Sequence, residues 1–423
     1  MRRRALLAGM AAGTLAGCSG QEPDDGTVRL DYLCLAWQKE SVRANRQLVA
    51  EWNRRHPGIR VRYVQGNWDT VHDQLLTSFE GGSAPDVIHD EAGDLTDFAH
   101  GGYLADLGPL LPERLRANIP QRTWDTASFA GGVYGVPFLQ EPRVLIANAR
   151  LLRRSGVRVP TVQRPWSWGE FEDAARRLTR GGTRHGVAWS MKEPVSQTLN
   201  LSLTQGGRIF YRSRGKNQIR FDAPDSALAE LVRRQVHQEH SAARSSLGMS
   251  GSDTLPGFFA GRYALLPLNF SFRQQVHQQA PDGFDWITLP LPGDPGAHQG
   301  VSPQTLSISE DCRHKRAAMA FVAHLTEPDH QVRLAQGDWL LPTSPAALRD
   351  PRLDVARHGW RVGVETAPSL VASPVLGVRG YPEWTDKVAT PALQRYYGGD
   401  LSLDALRDRL VDDGNRVLRR YQR

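Results

Sequence analysis

The sequence predicts an α/β protein of more than one domain-sized unit, and three observations carry that expectation. The first is the opening pattern. Leu30–Trp37 is a hydrophobic run, Ser41–His56 carries Leu48, Val49 and Trp52 on one helical face, and Ile59–Val64 alternates. Strand, helix, strand implies a parallel sheet with helices on its faces. The second is length, because 423 residues exceed what one ordinary core accommodates. The third is Gly131–Asn148, GGVYGVPFLQEPRVLIAN. Its glycines make a turn, the Tyr-Gly-Val-Pro run extends the chain, and Val144, Leu145 and Ile146 read as a short buried strand. Between them sits a polar-aromatic knuckle of Phe138, Gln140, Glu141 and Arg143. Such a segment suits a crossing between two lobes; a hairpin within one domain is the alternative.

The remaining elements follow in order. Ser41 is placed to cap the first helix and Pro57-Gly58 to stop it. A second helix near Val71–Phe79 leads through Gly81-Gly82 to a third strand at Pro85–Ile88. Ser167 and Glu170 have capping-box spacing ahead of a stripe of Phe171, Ala174, Ala175 and Leu178. Asp222 and Pro224 open a helix over Phe221–His240. Phe258–Asn269, Phe284–Pro292 and Gln299–Ser309 read as strands, and Arg316–Leu325 and Tyr396–Leu418 as helical regions.

The N-terminus carries an address. Arg2, Arg3 and Arg4 precede the apolar run Ala5–Leu15, too short to span a bilayer as a mature helix. It ends in Leu15-Ala16-Gly17-Cys18, which resembles the bacterial lipoprotein processing box. Residues 1–17 are therefore expected to be a signal peptide, with Cys18 as the lipidation site and residues 18–26 a flexible tether. Acyl chains contributing about 0.8 kcal/mol per buried CH₂ would then hold the protein to the extracytoplasmic face of the cell membrane. The paired arginines leave Sec and twin-arginine export both open.

Composition narrows the function classes. Hydrophobic residues at 40% and charged residues at 23% are those of a soluble globular chain. The net charge of +7 is spread among Asp and Glu rather than gathered into a stripe, which argues against nucleic-acid binding. Cys34 in an apolar strand and Cys312 beside a helix start read as free thiols, with a disulfide between them as the alternative in an exported protein, and no cysteine pattern points to a metal or cofactor. No HExxH, GxSxG or P-loop is present, so no catalytic residue is assigned. Paired carboxylates such as Asp90-Glu91 keep an exported glycoside-active enzyme as the alternative reading.

Short motifs in a fixed order bring a resemblance. Pro85-Asp86-Val87-Ile88 comes first, then Phe98-Ala99, Gly102, Leu104 and Leu107. Next come Tyr134-Gly135-Val136-Pro137-Phe138 with Asn148, Leu151, Gly156 and Val157; after them, Trp168, Glu170 and Phe171, and finally Leu341-Pro342-Thr343. This series resembles the extracellular solute-binding proteins of carbohydrate ABC importers, the maltose-binding-protein-like family. The resemblance implies a two-lobed type II periplasmic-binding-protein-like fold, each lobe a mostly parallel sheet flanked by helices, with the ligand cleft between lobes. Residues 27–137 and 300–343 would form the N-terminal lobe, and 138–299 and 344–423 the C-terminal lobe. It further implies a monomer without cofactors that binds a sugar or oligosaccharide and delivers it to ABC permease subunits; a ligand-sensing lipoprotein uses the same physics.

A sugar cleft needs aromatic plates for C–H faces and polar side chains for hydroxyls. Ligands in open α/β sheets collect at the carboxyl ends of strands. Trp37, Trp68 and Trp189 follow strands and are the expected plates, core filling being the alternative for each. Phe138, Glu141 and Arg143 lie at the crossing, where the last two could grip hydroxyls or pair with each other. Glu91 aligns with the family's cleft acid, and Asn269, Gln304 and Trp339 complete the expected set.

Overall fold

The opening pattern folds into the parallel unit that it predicts. Strand Val28–Cys34 pairs in parallel with Ile59–Gln65 on one side and with Val87–Glu91 on the other. The connecting helix spans Lys39–Arg55 and buries Leu48, Val49 and Trp52. Gln38 stands at its N-cap, so Ser41 lies inside the first turn rather than capping it. The computed structural model describes residues 26–213, 215–294 and 296–422; the leader, Cys18 and the tether up to residue 25 lie outside the described residues.

Two sheets organise the chain. Across the first, the strands run Leu341–Pro342, Val136–Gln140, Gln304–Ile308, Val87–Glu91, Val28–Cys34 and Ile59–Gln65. Across the second they run Trp286–Leu289, Arg143–Asn148, Tyr263–Asn269 and His185–Val187. Parallel pairing joins the strands of the opening unit, Tyr263–Asn269 with His185–Val187, and Gln299–Val301 with Leu370–Ala372. Gln304–Ile308 is antiparallel to both its neighbours, and Arg143–Asn148 likewise to both of its own. A βαβ crossover imposes parallel direction, whereas a strand delivered from the other lobe carries no such constraint.

The chain passes between the sheets at three places. Val136–Gln140 belongs to the first sheet and Arg143–Asn148 to the second, with only Glu141-Pro142 between them. The two strands do not pair with each other, so the segment is a crossing and not a hairpin. The passage falls at Glu141-Pro142 rather than after Pro137, because Phe138, Leu139 and Gln140 still belong to a strand of the first sheet. The second passage breaks the expected strand Gln299–Ser309 in two. Gln299–Val301 pairs with Leu370–Ala372, Gln304–Ile308 joins the first sheet, and Ser302-Pro303 lies between. The third follows Leu341–Pro342, where Thr343 donates to Phe138 O at 3.1 Å before the tail begins.

Each lobe has its own apolar interior. One gathers Leu30, Tyr32, Trp52, Val136, Phe138, Leu306 and Phe321, with Cys34 and Cys312 buried within it and not joined by a disulfide. The other gathers Phe171, Trp189, Leu228, Trp384 and Tyr397. Ser167 and Glu170 form their capping box, as do Asp222 and Asp225. A third cluster joins Val332 and Leu341 to Val144, Phe270 and Trp360 behind the crossings.

Through that cluster runs Arg273, with no exposed surface. Its guanidinium donates to Phe270 O at 2.6 Å, His358 O at 2.6 Å and Trp339 O at 2.9 Å, and lies over the Trp360 ring at 4.6 Å. Three carbonyls thus satisfy a buried charge whose removal would orphan them all. Arg273→Met is expected to cost about 3–5 kcal/mol in urea unfolding, by the cost of breaking a buried charge network. Arg273→Lys should recover little, since an ammonium cannot reproduce the planar fork.

Candidate ligand-binding cleft

The carboxyl ends of the first sheet's parallel strands open toward the crossings, and a cavity of about 200 Å³ lies there. Trp37, Trp68, Glu91, Glu141 and Gln304 line it together with Gln38, Gln140, Ser302 and Asp338. Ser271 reaches it from the second sheet's side, so both lobes contribute. A larger hollow of about 1410 Å³ lies elsewhere, on the C-terminal helices, with no aromatic ring on its wall.

The local chain explains each position. Trp37 follows the first strand, and at 61% exposure it is the most exposed large hydrophobic side chain among the described residues. Half-buried Trp68 meets His89 edge-on at 5.6 Å. His89 accepts from Leu35 N at Nδ1, 3.2 Å, so its proton sits on Nε2 and is donated to Gln304 Oε1 at 3.0 Å. Burial pushes this imidazole down to about 4, which keeps it neutral. Glu91 ends its strand with solvent access. Protein walls nevertheless strip enough water to raise it to about 7, with Asp94 and Glu141 adding like charge. Asp338 ends the helix Pro328–Asp338 and is only 6% exposed; burial lifts it to about 7 against the opposing pull of the Ser41 hydroxyl, with Glu141 adding a smaller push upward.

Glu141 sits on the crossing and accepts from Asn269 Nδ2 at 3.1 Å and Ser271 N at 2.8 Å. Arg143 turns instead to Ser196 Oγ at 3.0 Å, so the two do not pair with each other. Burial pushes the Arg143 guanidinium down to about 10. Asn269 adjoins the cavity only through its bond to Glu141.

Three expected contacts move elsewhere. Trp189 is sealed in the second lobe's core, 1% exposed, its Nε1 donating to Gln235 Oε1 at 2.8 Å. It follows a strand as Trp37 does, but the helix Ala223–His237 covers it. Phe138 is likewise enclosed, edge-on to His89 at 5.1 Å, because its strand position faces the first lobe's core. Trp339 adopts a left-handed backbone (φ 56°) that turns its ring into the aromatic group of His277, His358 and Trp360. Gln38, Ser302 and Asp338 were not anticipated, although each adjoins an anticipated residue in sequence.

The chain matches the family model of bacterial extracellular solute-binding proteins over residues 37–332, well over half its length. It belongs to that family. A Streptomyces antibioticus protein named as an uncharacterized lipoprotein in the oleD 5′ region is 58% identical over 93% of this chain and 88% of its own. The putative ABC transporter periplasmic-binding protein YcjN of Escherichia coli is 18% identical over 84% of this chain and 80% of its own. Among solved structures, the sugar-binding protein MalE of Xanthomonas citri matches with a TM-score of 0.79 at 23% identity, covering 93% of this chain and 98% of that one. The GacH receptor of Streptomyces glaucescens, solved unliganded and with acarbose, matches with a TM-score of 0.75 at 19% identity, covering 93% and 99%. The two-lobed fold of these solute-binding proteins is therefore this chain's fold. Among the described residues no helix is long and apolar enough to cross a membrane, and no cluster of His, Cys, Asp or Glu is arranged to hold a metal ion.

Two measurements check the site. Trp189→Ala should lower unfolding free energy by about 3–5 kcal/mol, whereas Trp37→Ala should stay within about 0.5 kcal/mol. The Asp338 carboxyl is raised on folding, so the folded state binds its proton more tightly than the unfolded chain. Its destabilising effect is absent below about pH 4, grows as pH rises and is complete above about 7. Asp338→Asn should therefore melt higher than the parent at pH 8, with the gap closing near pH 4.

Proposed function

We propose that the protein is the membrane-anchored, extracytoplasmic solute-binding component of an ABC importer, which captures a sugar or oligosaccharide by lobe closure and delivers it to a permease. The observation that carries this is the cavity at the crossings, where Trp37 and Trp68 stand among Glu91, Glu141 and Gln304 with Ser271 of the other lobe. An aromatic face takes the C–H side of a pyranose, and the surrounding acceptors take its hydroxyls. A solute touching both lobes binds the closed arrangement better than the open one, which is all that closure requires. The small volume suits one ring held at the crossing, since pockets for drug-sized ligands run to about 300–1,000 Å³.

The lipoprotein name of the Streptomyces antibioticus relative supports the reading of Cys18 as the lipidation site after a signal peptide of residues 1–17. The sugar-binding and ABC-transporter names of other relatives support the solute class and the permease partner. The protein acts as a monomer and leaves its solute unaltered; energy for transport comes from the partner ATPase.

A thermal-shift screen across glycans tests the reading. A true solute at 100 times its Kd adds about 2.7 kcal/mol of stability. That shift should be lost in Trp37→Ala, and no new reducing ends should appear on incubation. Shifts given by peptides alone would end the carbohydrate assignment; release of reducing ends would turn the reading toward a glycoside-active enzyme.

A further inference from the structure

The C-terminal tail reaches back to the first lobe just after the strand Leu370–Ala372. Ser373 is held at the second passage, its N–H donating to Val301 O at 2.9 Å and its Oγ to Asn200 Oδ1 at 2.9 Å. Val375 and Val378 join the second lobe's interior with Phe210 and Trp384, and Tyr381 lies edge-on to Phe210 at 6.0 Å. The segment is therefore fastened to the second lobe on both sides of Leu376. Leu376 itself turns the other way and packs against an apolar cluster of the first lobe that includes Leu35, Leu95 and Phe98.

A charge crosses at the same seam. Arg379 stands three residues beyond Leu376, and the acid it acts on is Asp97, on the first-lobe helix Ala92–His100. Burial raises that carboxyl, and Arg379 pulls it back more than any other charge; Asp94 adds to the rise, while His72 and His100 oppose it. An acid of one lobe thus answers chiefly to a base of the other.

The contact is narrow and carries its own cost. A groove of about 1060 Å³ lies beside it, walled by Asp125 and Phe129 of the first lobe and by Arg208, Leu376 and Val378 of the second. Solvent therefore borders the seam and can enter as it parts. Arg379 Nε is enclosed without a hydrogen-bond partner, and an unpaired buried donor opposes the arrangement that buries it. The apolar seat and the ionic attraction favour contact, and the unpaired Nε and the lost hydration of Asp97 oppose it. Such a balance suits a catch that releases.

We propose that Ser373–Tyr381 is a latch between the lobes, in which Leu376 seats in the first lobe's apolar cluster and Arg379 attracts Asp97. Part of the stability of the closed arrangement is then built into the chain instead of being supplied by the solute. Because the latch touches no solute, its loss weakens every solute by one common factor. The inference rests on the reading that the lobes close about the crossings, and the class of solute does not enter it.

The experiment measures the radius of gyration of the solute-free mature chain by small-angle X-ray scattering, with urea unfolding to verify that each variant is folded. Leu376→Ser and Arg379→Gln should each enlarge it, and Leu376→Met should keep the parent value. Asp97→Asn should match Arg379→Gln, and the two together should enlarge it no further than either alone. Parent dimensions in both Leu376→Ser and Arg379→Gln overturn the latch and leave the solute reading standing. Enlargement in Leu376→Ser but not in Arg379→Gln overturns the Asp97 contact and retains the apolar seat. Enlarged variants in a protein that no glycan stabilises support the latch and count against the carbohydrate assignment alone.

Discussion

A guanidinium with no water around it holds the two lobes in register. Arg273 donates to carbonyls from three separate stretches: Phe270 after the second sheet's central strand, Trp339 at the end of a first-lobe helix, and His358 in the C-terminal tail. Burying such a charge is costly unless every donor is matched, so the three stretches cannot drift apart without exposing an unpaired ion. The apolar cluster of Val332, Leu341, Val144, Phe270 and Trp360 closes around it. The pivot is thereby a packed, polar-locked point, while the Glu141-Pro142 and Ser302-Pro303 passages beside it are short and proline-fixed. Short passages packed around one buried charge are the kind of connection about which domain closure turns in proteins that close by hinging.

The same network builds the floor of the cleft. Glu141 lies one residue beyond the last strand residue of the first sheet, yet its partners, Asn269 and Ser271, belong to the second lobe. Arg143 N donates to Gln299 Oε1 at 3.0 Å, tying the first passage to the second. Changes at the cleft floor are consequently felt at the hinge, because they share side chains. Phe138 shows the converse. Enclosed in the core, it braces His89, and His89 sets both the angle of Trp68 and the acceptor of Gln304. A residue that never meets solute still decides how the plate is presented.

What the sequence made legible was whatever depends on local backbone and chain order. The βαβ opening, the capping box at Ser167 and the helix start at Asp222 follow from periodicity and short polar caps, whereas the crossing was chosen over a hairpin by the family resemblance. The position of the crossing was off by a few residues because Val136–Gln140 is equally apolar on both sides of Pro137, and only pairing with Gln304–Ile308 and Leu341–Pro342 assigns it to the first sheet. The tryptophans illustrate the harder case. Trp37 and Trp189 both follow strands in similar local sequence, and the difference between 61% and 1% exposure comes from a helix more than thirty residues away. Trp339 leaves the cleft and the unanticipated Asp338 lines it, because a single left-handed residue turns the ring inward and leaves the preceding carboxyl at the cavity. Backbone handedness at a non-glycine position is set by tertiary packing and leaves no local mark.

Electrostatics then ties the cleft's charge to its hydration. Burial lifts the Asp338 carboxyl, and protein walls together with Asp94 and Glu141 lift Glu91, each to about 7. Water admitted to the cavity favours the ionised carboxylates and water driven out favours the protonated ones, so a solute that fills the cavity changes the protonation of its acids as well as their contacts.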